Sequence, residues 1–184
     1  NTDYNLAYFN SVHTNLCTPA ESLNNVTVGA AAESLNDGPF YGISPGREFP
    51  TLYSRKGHIN LSTSFPSNKS NKHYFKPDVI DCGGDISFYN STTIDYLDNA
   101  AMTVISARPE QGFVHETGTS LSAPLTANLA AKILKEYPNL NIQTVKALIV
   151  NGASLSNIQF PKSDRHLLNI TAGNGFVDIE NSLF

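Results

Sequence analysis

The chain has 184 residues, 40% of them hydrophobic and 15% charged, which suits one globular domain with a sizeable core. Twelve basic against sixteen acidic residues give a formal charge of −4, and no Lys/Arg cluster is dense enough to follow a phosphate backbone, which excludes a nucleic-acid partner. The longest apolar runs, such as ALIV at 147–150, are too short to cross a bilayer, and NTDYNLAYF at the start has neither the basic beginning nor the apolar stretch of a signal peptide.

In chain order, NNVTVGAAAE offers the first buried strand, with β-branched Val26 and Val28 running into Gly29 and three alanines. Residues 34–75, dense in Ser, Asn, Gly, Pro and Lys, read as loop. KPDVIDCGG then predicts a very short strand at Val79–Ile80, entered at Pro77, where a ladder donor is not needed, and closed by two glycines. AAMTVISA (100–107) and GFVHE (112–116) are further strands. A helix is expected from about Ser120 to Tyr137, with Leu121, Leu125, Leu129, Ile133 and Leu134 on its inner face and Pro124 in its first turn, where the missing donor costs nothing. A second helix should start after the N-cap Asn141, turn Ile142, Val145, Leu148 and Ile149 inward, and end at a Gly152 cap. Strands followed by two apolar-faced helices indicate an α/β layer on a largely parallel sheet.

Cys17 and Cys82 form neither a disulfide framework nor a CxxC pair; two buried free thiols are expected, with pairing as the alternative. The five histidines show no HxxxH or HExxH spacing, so no metal site is predicted. The Asn-x-Ser/Thr triplets at Asn25, Asn60 and Asn169 matter only where the source glycosylates.

The stretch that carries chemistry is HETGTSLSAPLTANLAAKILKEYP, 115–138. Serine is a favoured helix N-cap, and Ser120 has that reading open to it. The other reading rests on its neighbours. Gly118, Thr119, Ser122, Ala123 and Pro124 keep the surroundings small, and first-turn N–H groups favour the negative charge that develops when a serine attacks a carbonyl. The esterase elbow GxSxG does not fit GTSLS, which lacks the second glycine.

GTSLSAP resembles the signature around the nucleophile of subtilisin-like serine proteases. VTVGA (26–30), YSRKG (53–57, against the family's FSSRG), KPDVIDCGG (76–84, against KPD(I/V)xAPG), YPNLNIQTVKALIVNGA and GNGFVDIENSL (173–183) are similar to further family segments, in the family's order and over nearly the whole chain. The resemblance implies the C-terminal portion of a doubly wound, mostly parallel α/β sheet with helices on both faces, residues 1–184 being part of a single peptidase domain. It implies a serine endopeptidase acting through an acyl-enzyme, with Ser120 as nucleophile and first oxyanion donor and Thr119 as an auxiliary beside it. The second oxyanion donor would be Asn1, with Asn5 and Asn10 as weaker placements, or Asn1 is simply a terminus.

The family's Asp-(Ser/Thr)-Gly and His-Gly-Thr motifs, which bear the orienting acid and the base, are absent here: DCGG is not the first, and no His precedes Gly-Thr. His115, five residues before Ser120 on a strand leading into the helix, would need an unusual bend to serve as base. The N-terminal part of the domain is therefore expected to supply acid, base and most of the specificity pocket, leaving this chain inactive alone. Its implied partners are a peptide or protein substrate and either that missing part or a second copy meeting an exposed strand edge. The alternative is a non-catalytic binding or structural domain on a degenerate scaffold of the same kind. No cofactor is predicted. Calcium is common in the family, but residues 34–75 show no DxDxDG-like spacing. The family favours secretion of a soluble protein.

Overall fold

A computed structural model of the chain describes residues 16–32, 48–59, 74–85, 87–89, 93–95, 100–155 and 165–183. Its strands are β1 (Val28–Ala31), β2 (Gly57–Ile59), β3 (Tyr74–Lys76), β4 (Val79–Cys82), β5 (Ser87–Tyr89), β6 (Thr93–Asp95), β7 (Met102–Ile105) and β8 (Phe113–Glu116). The helices, in chain order, are α1 (Thr119–Glu136), α2 (Ile142–Gly152), α3 (Arg165–Ala172) and α4 (Ile179–Leu183).

The centre is β1 beside β4, parallel, with Val28 opposite Val79 and Ala31 opposite Cys82. On the other edge of β4 the segment 175–177 adds a parallel bridge, with Ile80 N–H to Gly175 O at 2.9 Å and Val177 N–H to Ile80 O at 3.0 Å. The outer edge of β1 is engaged by the segment after residue 47: Glu48 N–H donates to Ala32 O, Ala32 N–H to Phe49 O and Thr51 N–H to Ala30 O, all within 2.9 Å. The pairs β2–β3, β5–β6 and β7–β8 are antiparallel.

Alternation along β4 divides the core in two. Val79, fully buried, packs with Leu129 and Ile133 of α1 and with Val145 and Ile149 of α2. Ile80, equally buried, faces the opposite way and meets Ala31, Phe49, Leu168 and Ala172, the last two on α3. A short strand buried on both faces needs this continuous apolar character, and helices on both faces supply the cover. The expected α/β fold with parallel strands and flanking helices is therefore present, and the strands at VTVGA and KPDVIDCGG fall where the sequence puts them. AAMTVISA and GFVHE form the β7–β8 hairpin, with Val104 opposite Val114.

Several expectations need correction. The interval 34–75 is not all loop, since β2 and the start of β3 lie in it; residues 33–47 and 60–73, with Asn60, are outside the described residues. On α1 the buried stripe is Ser122, Thr126, Leu129 and Ile133, while Leu125 and Leu134 are 39% and 37% exposed and Leu121 is half-buried. Pro124 is the sixth helical residue, not a first-turn one, so the helix forgoes the bond that its N–H would have made to Ser120 O. On α2, Asn141 caps as expected, accepting from Thr144 N–H at 2.8 Å, but Ile142 is 66% exposed. Gly152 is the last helical residue rather than the cap; its lack of a side chain admits Ser182 of α4, whose Oγ, N and Cα occupy the space a Cβ would need. Cys17 and Cys82 are free, but Cys17 is exposed and Cys82 only half-buried. Cys17 opens a turn in which Ala20 N–H donates to its carbonyl at 2.8 Å.

Candidate functional site

The helix α1 runs antiparallel to β1 and β4. Its Leu129 and Ile133 lie against Val79, Thr126 Oγ1 donates to Asp81 Oδ2 at 2.9 Å, and Ser122 packs at Gly83, just past the strand. The N-terminus of the helix thus stands over the carboxyl ends of the parallel strands, the place where α/β sheets present ligands and reacting groups.

Gly83 organises this end. A Cβ there would lie 2.5 Å from Ala30 Cβ, 2.7 Å from Ser122 Oγ and 3.1 Å from Gly118 O, so β1, the first turns of α1 and the residue before it all close on a bare backbone. Gly83 N–H donates to Ala31 O at 3.0 Å, and its carbonyl receives Gly118 N–H at 2.8 Å. The chain leaves at Gly84 (φ 74°), passes through β7 and β8, and returns to within hydrogen-bond distance of its starting point. Positive φ at Gly84 and the contacts a Cβ would make with Met102 N and Ala101 Cα reserve that position for glycine as well.

From this anchored return the helix starts. Gly118 precedes it with no side-chain cap, Thr119 is half-buried, and Ser120, its second residue, is exposed. Ser120 is therefore not the N-cap. Leu121 N–H turns back to Gly118 O at 3.0 Å, whereas the amides of Thr119 and Ser120 have no carbonyl within the helix to bond. No acidic side chain stands in the first turn to offset its positive end. A hydroxyl beside amides that lack intrahelical partners, at the positive end of an 18-residue helix, is suited to attack on a carbonyl followed by stabilisation of the resulting oxyanion.

The other site expectations separate. Asn1, Asn5 and Asn10 lie outside the described residues. His115 lies on β8 opposite Thr103, its Nδ1 3.3 Å from Thr103 Oγ1, half-buried. Among the described residues no group of three or more His, Cys, Asp or Glu is arranged to hold a metal ion, and no helix is long and apolar enough to cross a membrane.

Sequence reasoning missed a buried polar set under the serine. Asp81 and Asp85 are 6% and 0% exposed; the Ser122 hydroxyl is fully buried without a hydrogen-bond partner among the described residues. Tyr53 donates from its hydroxyl toward Gly83 O (2.7 Å) and Gly84 O (2.6 Å). A signal existed for two of them, because Asp81 stands where the resembling motif KPD(I/V)xAPG has alanine and Tyr53 where FSSRG has phenylalanine.

A sequence model of the Subtilase family matches residues 8–175. The chain belongs to the subtilase family. This subtilase chain is 25% identical over 195 residues to the uncharacterized protein y4bN of Sinorhizobium fredii (strain NBRC 101917 / NGR234), covering 96% of the chain and 42% of that protein. Among solved structures it is similar to the epidermin leader peptide processing serine protease EpiP of Staphylococcus aureus, with a TM-score of 0.57 and 19% identity, over 90% of this chain and 32% of that one. A mutant of the same enzyme matches equally. The subtilase chain thus spans less than half the length of these relatives.

Proposed function

We propose that this subtilase chain provides the nucleophile of a serine endopeptidase. The observation that carries the reading is the placement of an exposed Ser120 hydroxyl on the first turn of α1, above the carboxyl ends of β1 and β4, with no carboxylate in that turn. In the proposed reaction Ser120 Oγ bonds to the scissile carbonyl carbon while its proton passes to an imidazole contributed by polypeptide outside this chain. The oxyanion meets the Ser120 amide, with Thr119 beside it, and Asn1 is the proposed second donor. Collapse expels the amine with that proton, and water then releases the acyl group by the same route. Leader-peptide processing, the activity named for the Staphylococcus aureus relative, is one substrate class compatible with this chemistry.

The test uses the full-length protein and a fluorophosphonate probe. Covalent labelling at Ser120, lost in Ser120→Ala together with about 10⁴-fold or more of peptide hydrolysis, is the expected outcome. The isolated 184-residue chain should show no triad-level turnover. Absence of labelling in a folded full-length protein, or undiminished labelling of Ser120→Ala, rejects the assignment.

A further inference from the structure

Tyr53 occupies a turn that is fixed on both sides before its ring begins. Thr51 N–H donates to Ala30 O at 2.9 Å, and Ala30 N–H donates to Ser54 Oγ at 3.0 Å, so the turn is bonded to the outer edge of β1. From there the ring crosses the carboxyl end of the sheet to the Gly83–Gly84 turn. Two carbonyl oxygens converge on its hydroxyl, at 2.7 and 2.6 Å. The phenol has one proton, shared between the two acceptors as a three-centre bond, and a phenolate would repel both oxygens. Burial raises the phenol well above the usual tyrosine range, and the nearby Asp85 charge adds to this, so the donor persists at working pH.

The route from this hydroxyl to the serine is short. Gly83 O, one of the two acceptors, is also the acceptor of Gly118 N–H at 2.8 Å, and Ser120 lies two residues on. The opposite side of Gly83 is pressed by Ala30 and Ser122, with no room even for a methyl group. A displacement of Gly83 is therefore passed both to Gly118 and to the start of α1.

We infer that Tyr53 is a positioning residue for the nucleophile turn: its hydroxyl, by holding the Gly83 and Gly84 carbonyls, sets where Gly118 and hence Ser120 stand. This rests on the nucleophile role proposed for Ser120. Phenylalanine, which the resembling segment FSSRG carries, fills the same volume without the donor, so the tie belongs to this chain's tyrosine.

The experiment compares wild type, Tyr53→Phe and Ser120→Ala of the full-length protein in fluorophosphonate labelling, measuring limiting rate, half-saturating probe concentration and final stoichiometry separately. The expected result for Tyr53→Phe is a limiting rate lower by about 10-fold, because sub-ångström misplacement of a nucleophile costs rate steeply, with full stoichiometry and unchanged half-saturation. A purely structural role would lower the stoichiometry and leave the rate of the labelled fraction intact; that outcome, or a wild-type rate, overturns the inference. Tyr53→Met, which fills the space without a donor, carries the same comparison if Tyr53→Phe fails to fold. A wild type that is not labelled overturns the nucleophile assignment and the positioning role together, whereas labelled wild type beside an equally fast Tyr53→Phe overturns the positioning role alone.

Discussion

Gly83 is the residue on which the site's geometry turns. Its Cα lies where Ala30, Ser122 and Gly118 meet, and its carbonyl accepts from both Gly118 and Tyr53. Gly83→Ala would force a methyl group to 2.5 Å from Ala30 Cβ, a separation that one of the elements must yield to relieve. The expected cost is about 1–3 kcal/mol in chemical denaturation, with slowed labelling of Ser120 as the helix start is displaced. At this scale the start of the helix was legible, because a run of small residues passing into an apolar, helix-patterned segment marks it. Tyr53 was not: its role depends on an approach between residues 30 positions apart, which no local pattern encodes.

At the scale of elements, α1 illustrates how far periodicity reaches. The period correctly selects Leu129 and Ile133, but it also assigns Leu125 inward, where the structure uses Thr126. The reason lies in the sheet. Toward their carboxyl ends β1 and β4 present Ala30, Asp81 and Gly83 to the helix, and a carboxylate is satisfied by a hydroxyl rather than by leucine. Hydroxyl residues therefore line the half of the helix nearest Ser120, and aliphatic residues the half nearest Val79. Thr126→Val conserves shape and removes the donor to Asp81 Oδ2 at a site where both residues are buried. Thermal or denaturant unfolding should register a loss of about 1–3 kcal/mol, the range for leaving a buried acceptor without its donor. A change within about 0.5 kcal/mol would mean that the bond contributes little to seating the helix. The β1, β4, β7 and β8 strands and the Asn141 cap fall where the sequence puts them, whereas the strands within 34–75 and the inward face of α1 do not, because both depend on the partner surface.

For the molecule as a whole, the burial of Lys56 predicts a pH-dependent contribution to stability. It is 3% exposed, and burial lowers its ammonium to about 7 from the ordinary 10.5. Between those values the unfolded chain binds more protons than the folded one, so stability rises with pH from about 7 toward 10.5 and is lost as pH falls back through that window. The slope contributed is at most about 1.4 kcal/mol per pH unit. Tyr53 acts oppositely above its ordinary 10.0, where the unfolded phenol ionises first. Lys56→Met should flatten the rise between pH 7 and 10 in denaturant titrations; an unaltered slope would place its origin elsewhere.

The strand β4 takes its two neighbours from distant chain, β1 lying 51 positions earlier and Phe176 96 positions later. Neither pairing is rewarded until a long loop has closed, which makes assembly of this strand slow relative to the local helices. The helix bearing Ser120 is closed by local hydrogen bonds, but the floor beneath it is complete only when those remote segments have arrived. The surroundings of Ser120 are accordingly among the last parts of the structure to be completed as the polypeptide folds.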